Sequence, residues 1–166
     1  MNSDTPSNDQ KTASLILDGP HSVSALEAMS EAVYWAKIRN ERVNSVHLLF
    51  GLASNSDSVS STILNQTGFH LFKLKKALAV LPSGTFEGPF PELTAFLDLA
   101  TEFEEVLKKS FELAEDSLEL DTAHLLLGLL ESPSLARKVL NKSPLGKELT
   151  ENLKQFLQTR THLNEI

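Results

Sequence analysis

At 166 residues, 41% of them hydrophobic, the chain has room for one domain with a full core and is too short for two independent ones. Its formal charge of −7, with no clustered Lys/Arg stripe, repels phosphate backbones and anionic lipid, so neither nucleic acid nor a membrane is an expected partner. With no cysteine, disulfides, thiol chemistry and Cys-based zinc sites are excluded, and a reducing compartment is favoured. No apolar run approaches the roughly 18 residues of a membrane helix, and the opening MNSDTPSNDQ lacks a basic stretch followed by an apolar one, so a soluble, unexported protein is expected. Leu, Ala, Glu and Lys are plentiful and alternating β-branched or aromatic runs are scarce, which sets the class as all-α.

Residues 1–20 are rich in Ser, Asn, Asp and Thr and end on Gly19-Pro20, the composition of a flexible arm. Four helices are expected next, near Ser22 to Arg39, Ser45 to Ser54, Val59 to Gln66 and Leu71 to Val80, with Asn44 and Ser58 as N-caps and Gly68 as a turn. The first carries Ala25, Ala28, Ala32 and Ala36, a small-residue stripe that lets a neighbouring helix lie close. Residues 82–91, PSGTFEGPFP, break the pattern and form a linker. Four more helices follow, near Leu93 to Leu118, Thr122 to Glu131, Pro133 to Leu140 and Pro144 to Thr159, capped by Asp121, Ser132 and Ser143. The apolar stripe of the first of these is long for its place, so that helix either has extra turns or breaks near Thr101. Residues 161–166 form a short polar tail.

The two sets of helices repeat one another. Val-His-Leu-Leu-Phe-Gly-Leu at Val46 to Leu52 returns as Ala-His-Leu-Leu-Leu-Gly-Leu at Ala123 to Leu129, with His47 and His124 separated by 77 residues. Asn44-Ser45 matches Asp121-Thr122, and Ile63-Leu64-Asn65 matches Val139-Leu140-Asn141. Each unit thus has a small-residue helix, a polar cap, His-Leu-Leu-x-Gly-Leu and a short helix. This doubled arrangement resembles the Clp N-terminal repeat, over about Ser22 to Thr159.

The resemblance implies an eight-helix bundle of two pseudo-twofold-related four-helix repeats, at about 21–81 and 92–160. It also implies a non-catalytic accessory or adaptor-like module that binds Clp ATPase or protease subunits, their adaptors or client proteins. Some bacterial members of that family recognise phosphoarginine, typically with a glutamate before each motif histidine. Val46 and Ala123 stand there in this chain, so phosphoarginine is not an expected ligand. The candidate partner surface comprises Ser45, Val46, Thr122 and Ala123, with Phe86 and Phe90 of the linker either pinning it to the bundle or lining an apolar groove for a partner's peptide.

The remaining chemistry reads as structural. His47 and His124 stand in the first turn of predicted core helices, where hydrogen bonding that fixes the preceding loop outweighs a metal or acid–base role, and Gly51 and Gly128 belong to the same structural motif. No HExxH occurs, and His21, His70 and His162 are scattered, so no metal is expected. Glu102, Glu104 and Glu105 read as an exposed helix face with Glu104 and Lys108 at i, i+4. Gly146-Lys147 lacks the glycine spacing of a phosphate cradle, no G-x-S-x-G elbow appears, and no cofactor is expected. Two other readings stay open: a decoy that sequesters the ligands of a Clp unfoldase, and a small helical hydrolase whose serine, histidine and carboxylate meet only in three dimensions. The expected location is the cytoplasm, or the plastid stroma for a mature organellar form.

Overall fold

A computed structural model of the chain describes residues 20–70 and 99–164. The helix expected at Leu71 to Val80 and the linker with Phe86 and Phe90 lie outside the described residues. The described part holds helices α1 (Val23–Ile38), α2 (Ser45–Ser54), α3 (Val59–Gln66), α4 (Thr101–Leu113), α5 (Thr122–Glu131), α6 (Leu135–Leu140) and α7 (Leu145–Asn164). Its extended backbone pairs only as isolated bridges, so the class is all-α among the described residues.

α2 and α5 are the core. Eight of the ten residues of α2 and nine of the ten of α5 are buried, as befits helices that are apolar on every side. Leu48, Leu49, Leu52, Leu125, Leu126 and Leu129 are all fully buried, and α5 packs against every other described helix. α1 lies on α2 through Ala25, Ala28, Ala32 and Ala36, all buried, and the approach is so close that a Cβ at Gly51 would collide with the Ala28 carbonyl. α4 repeats the device on α5, where Gly128 faces the Val106 carbonyl and the Ser110 hydroxyl. Trp35 fills the outer edge of the first pair, edge-on to Phe50 at 5.2 Å, and its indole N–H donates to Glu31 Oε1 at 3.3 Å.

Where the two halves meet, the segments leading into the helices exchange partners. His21, before α1, bridges Leu120, before α5, while Leu99, before α4, bridges Val43, before α2. The Ser22 N–H donates to the Leu120 carbonyl at 2.9 Å, and the Ala100 N–H to the Val43 carbonyl at 2.8 Å. The same contact therefore occurs twice with the halves interchanged.

Three sequence expectations need correction. Of the two forms expected for the helix at Leu93 to Leu118, the break near Thr101 fits: α4 starts there because Leu99 and Ala100 are held extended by Val43, while residues 93–98 lie outside the described residues, and the helix ends at Leu113, short of Leu118, where the chain turns. α6 starts at Leu135 rather than Pro133: Ser134, not Ser132, supplies the cap, accepting from the Arg137 N–H at 3.0 Å. α7 continues to Asn164, so residues 161–164 extend a helix instead of forming a tail. Its added turn brings Arg160 to Asp121, an N–H···O contact of 2.8 Å.

Candidate functional site

The first turns of α2 and α5 hold the repeated motif, and their geometry follows from how a helix start satisfies its free amides. At α2 the Asn44 side-chain oxygen accepts from the amides of Val46 (2.9 Å) and His47 (3.2 Å), while His47 Nδ1 accepts from the Asn44 N–H at 3.1 Å. This is a capping box in which an imidazole replaces the usual Glu or Gln at the third position. At α5, His124 Nδ1 accepts from the Asp121 N–H at 3.0 Å. The Asp121 carboxylate also meets Ser22 Oγ (3.0 Å) and Arg160 (2.8 Å), tying the starts of α1 and α5 to the end of α7.

The hydroxyl beside each cap reaches into the other half. Ser45 Oγ accepts from the Ala136 N–H in the first turn of α6 at 3.0 Å, and Thr122 Oγ1 accepts from the Ser60 N–H in the first turn of α3 at 3.3 Å. Each half thus caps a helix of the other. This overturns part of the candidate surface: Ser45, Thr122 and Ala123 are completely buried and cannot meet a partner, and only Val46 keeps some exposure. Phe86 and Phe90 lie outside the described residues.

Sequence reasoning also missed Glu102. Its carboxylate accepts from the Ser45 N–H at 2.6 Å and from the Leu135 N–H at 3.1 Å, spanning the starts of α2 and α6 as a fixed anion. The exposed Glu104–Lys108 pair does not form: Glu104 is buried, and Lys108 lies 4.0 Å from Glu105. No local signal marks Glu102, since its partners are 57 and 33 residues away.

Both motif histidines are buried, and desolvation holds each imidazole below its usual value of 6.5; for His47 the facing Glu41 carboxylate opposes the shift without cancelling it. Because Nδ1 accepts a backbone N–H in each ring, the proton sits on Nε2, which donates to Glu41 Oε2 (3.1 Å) in the first and to Ser117 Oγ (3.2 Å) in the second. The Ser117–His124 pair is therefore a cap with the wrong tautomer for a general base, since Nε2 would have to be free to take a hydroxyl proton. A cleft of about 950 Å³ beside α6 and α7 has no histidine in its lining. No Ser–His–carboxylate centre forms there, and among the described residues no three metal-binding side chains gather.

A neutral ring is needed for the cap, so folding disfavours protonation. The stability the two histidines contribute is fully present above pH 6.5 and is lost as pH falls below it, because the unfolded chain then binds more protons than the folded one. We expect a lower melting temperature at about pH 5.5 than at about pH 7.5, and a smaller difference in the double variant His47→Gln, His124→Gln, whose amides accept the same N–H without titrating. An unchanged pH dependence in the double variant would remove the histidines from this account.

No family model matches the sequence, and no curated protein matches it. Solved structures do match. A protein of a malarial protein secretion system aligns with a TM-score of 0.64 at 21% identity, covering 86% of this chain and 95% of its own. The N-domain of ClpV from Vibrio cholerae aligns with a TM-score of 0.62 at 21% identity, covering 95% of both chains. The fold is that of a Clp N-terminal domain. A third match comes from structural work on the ATPase ClpV, the TssB–TssC sheath and the accessory HsiE protein of type VI secretion, with a TM-score of 0.59, 21% identity and 94% coverage of both chains. Within this Clp N-terminal fold the paired histidine caps and the crossed hydroxyls occupy the junction of the two halves.

Proposed function

We propose that the chain is a non-catalytic accessory or adaptor-like module of a Clp system, binding Clp ATPase or protease subunits, their adaptors or client proteins. The observation that carries this reading is the end-to-end correspondence with the ClpV N-domain, 95% of each chain, in a sequence that contains no phosphate cradle of its own. The module is built as two pseudo-twofold four-helix repeats, with the helix expected at Leu71 to Val80 as the counterpart of α7. The exchanged bridges and crossed caps support that pairing. Phosphoarginine is left out of the ligands because Val46 has no carboxylate and Ala123 is buried. The working location is the cytoplasm, or the plastid stroma for an organellar form.

Affinity capture from native lysate tests the reading. Clp ATPase or protease subunits should be enriched about tenfold or more over a tag-only control, a difference of about 1.4 kcal/mol in apparent affinity. Diverse clients without any Clp subunit would replace the accessory role by that of a decoy competing for an unfoldase's ligands. Retention of neither class would overturn the proposal.

A further inference from the structure

The stretch from Arg137 to Lys154 departs from the acidic character of the chain. It carries five cations, Arg137, Lys138, Lys142, Lys147 and Lys154, against Glu148 and Glu151, a local +3 that leaves −10 on the other residues of a chain whose total is −7. Folding concentrates this charge further. Lys109 of α4 joins Arg137, Lys147 and Lys154 around the cleft of about 950 Å³, whose floor includes the buried Leu130. That volume is at the upper end of ordinary ligand pockets and suits a short peptide stretch.

The four cations differ in how far they are committed. Glu131, inside the cleft, already faces Lys109 at 3.7 Å and Lys154 at 3.5 Å, so its charge and much of theirs is answered within the fold. Arg137 and Lys147 are exposed and make no ion pair among the described residues. Glu151 is the one further carboxylate in the lining. A concave site with two uncommitted cations, one of them a forked guanidinium suited to gripping a carboxylate in two places, is built for a compact anion.

We propose that this cleft docks an acidic peptide segment of a partner protein. A nucleic acid fits less well, because its backbone would continue past the cleft along a chain that is acidic elsewhere, with a sum of −10 over the residues outside 137–154. An acidic peptide meets the cleft alone, and its apolar side chains can rest on Leu130. The proposal rests on the reading of the chain as a binding module, while its test needs no Clp subunit.

The test is fluorescence anisotropy of a labelled peptide of alternating Glu and Asp titrated with the full chain. Saturable binding is expected, weakening as salt is raised from about 50 to 200 mM because exposed charges are screened. The double variant Arg137→Glu, Lys147→Glu, checked for fold by circular dichroism, should weaken binding by about tenfold or more, since like-charge contacts now oppose the peptide. The control Lys37→Glu, Lys108→Glu changes net charge equally outside the cleft and should leave binding near that of the wild type. No saturable binding, equal weakening in the control, or tighter binding of a single-stranded oligonucleotide of equal charge would each overturn the proposal. Clp capture by a chain blind to the peptide would remove this cleft and leave the function standing. Peptide binding without capture would do the reverse.

Discussion

Replacing Leu126 with alanine is expected to lower the free energy of unfolding by about 2–5 kcal/mol, which for a domain of this size moves the melting temperature by about 4–20 °C. Leu126 has no exposed surface and sits mid-way along α5, the helix against which every other described helix packs. A cavity there is walled by several rigid helices at once, so little collapse can refill it, and the loss should fall in the upper part of that range. Urea denaturation of both proteins, with unchanged slope, measures it. A change within error would mean that α5 is not the central helix.

The second large effect is expected at Gly51. An added Cβ would collide with the carbonyl oxygen of Ala28 and stand 3.2 Å and 3.3 Å from its carbonyl carbon and Cα, all backbone atoms of α1 that no side-chain rotation can move aside. Gly51→Ala should therefore destabilise by about 1–3 kcal/mol even though alanine is about 1 kcal/mol the better helix former. Gly128→Ala should cost less, because its closest obstacle is the Ser110 hydroxyl, which can swing away at the expense of its 2.8 Å bond to the Val106 carbonyl. A more stable Gly51→Ala protein would show that α1 can retreat freely from α2, contrary to the packing of its alanines.

What the sequence discloses divides by distance along the chain. α2, α3 and α5 have the bounds expected of them, because Asn44, Ser58 and the motif histidines act within three residues of themselves. The all-α class and the buried leucines follow from periodicity in the same local way. The sequence leaves the start of α4 open between extra turns and a break near Thr101, because what decides it, the extended pairing of Leu99 and Ala100 with Val43, is a contact that periodicity does not contain. The burial of Ser45 and Thr122 was equally hidden. A hydroxyl before a core helix looks like surface until the amides it serves, 91 and 62 residues distant, are brought to it. The basic cleft has the same character: Lys109 and the cations of α6 and α7 share one wall only after folding.

The crossed hydroxyls have a consequence for how the chain is made. α2 is apolar on nearly every side, and its partner α5 follows it by 77 residues, so at about 5–20 residues per second the ribosome leaves the first half without that partner for roughly 4–15 seconds. α3 is affected as well: Ser58 caps it locally, but its Ser60 N–H finds an acceptor only in Thr122 Oγ1. Closure must await contacts that span 62 to 99 residues, which places this helical protein among slower folders than its secondary structure suggests. The arrival of α5 thus completes a core that the packing of α1 on α2 has only begun.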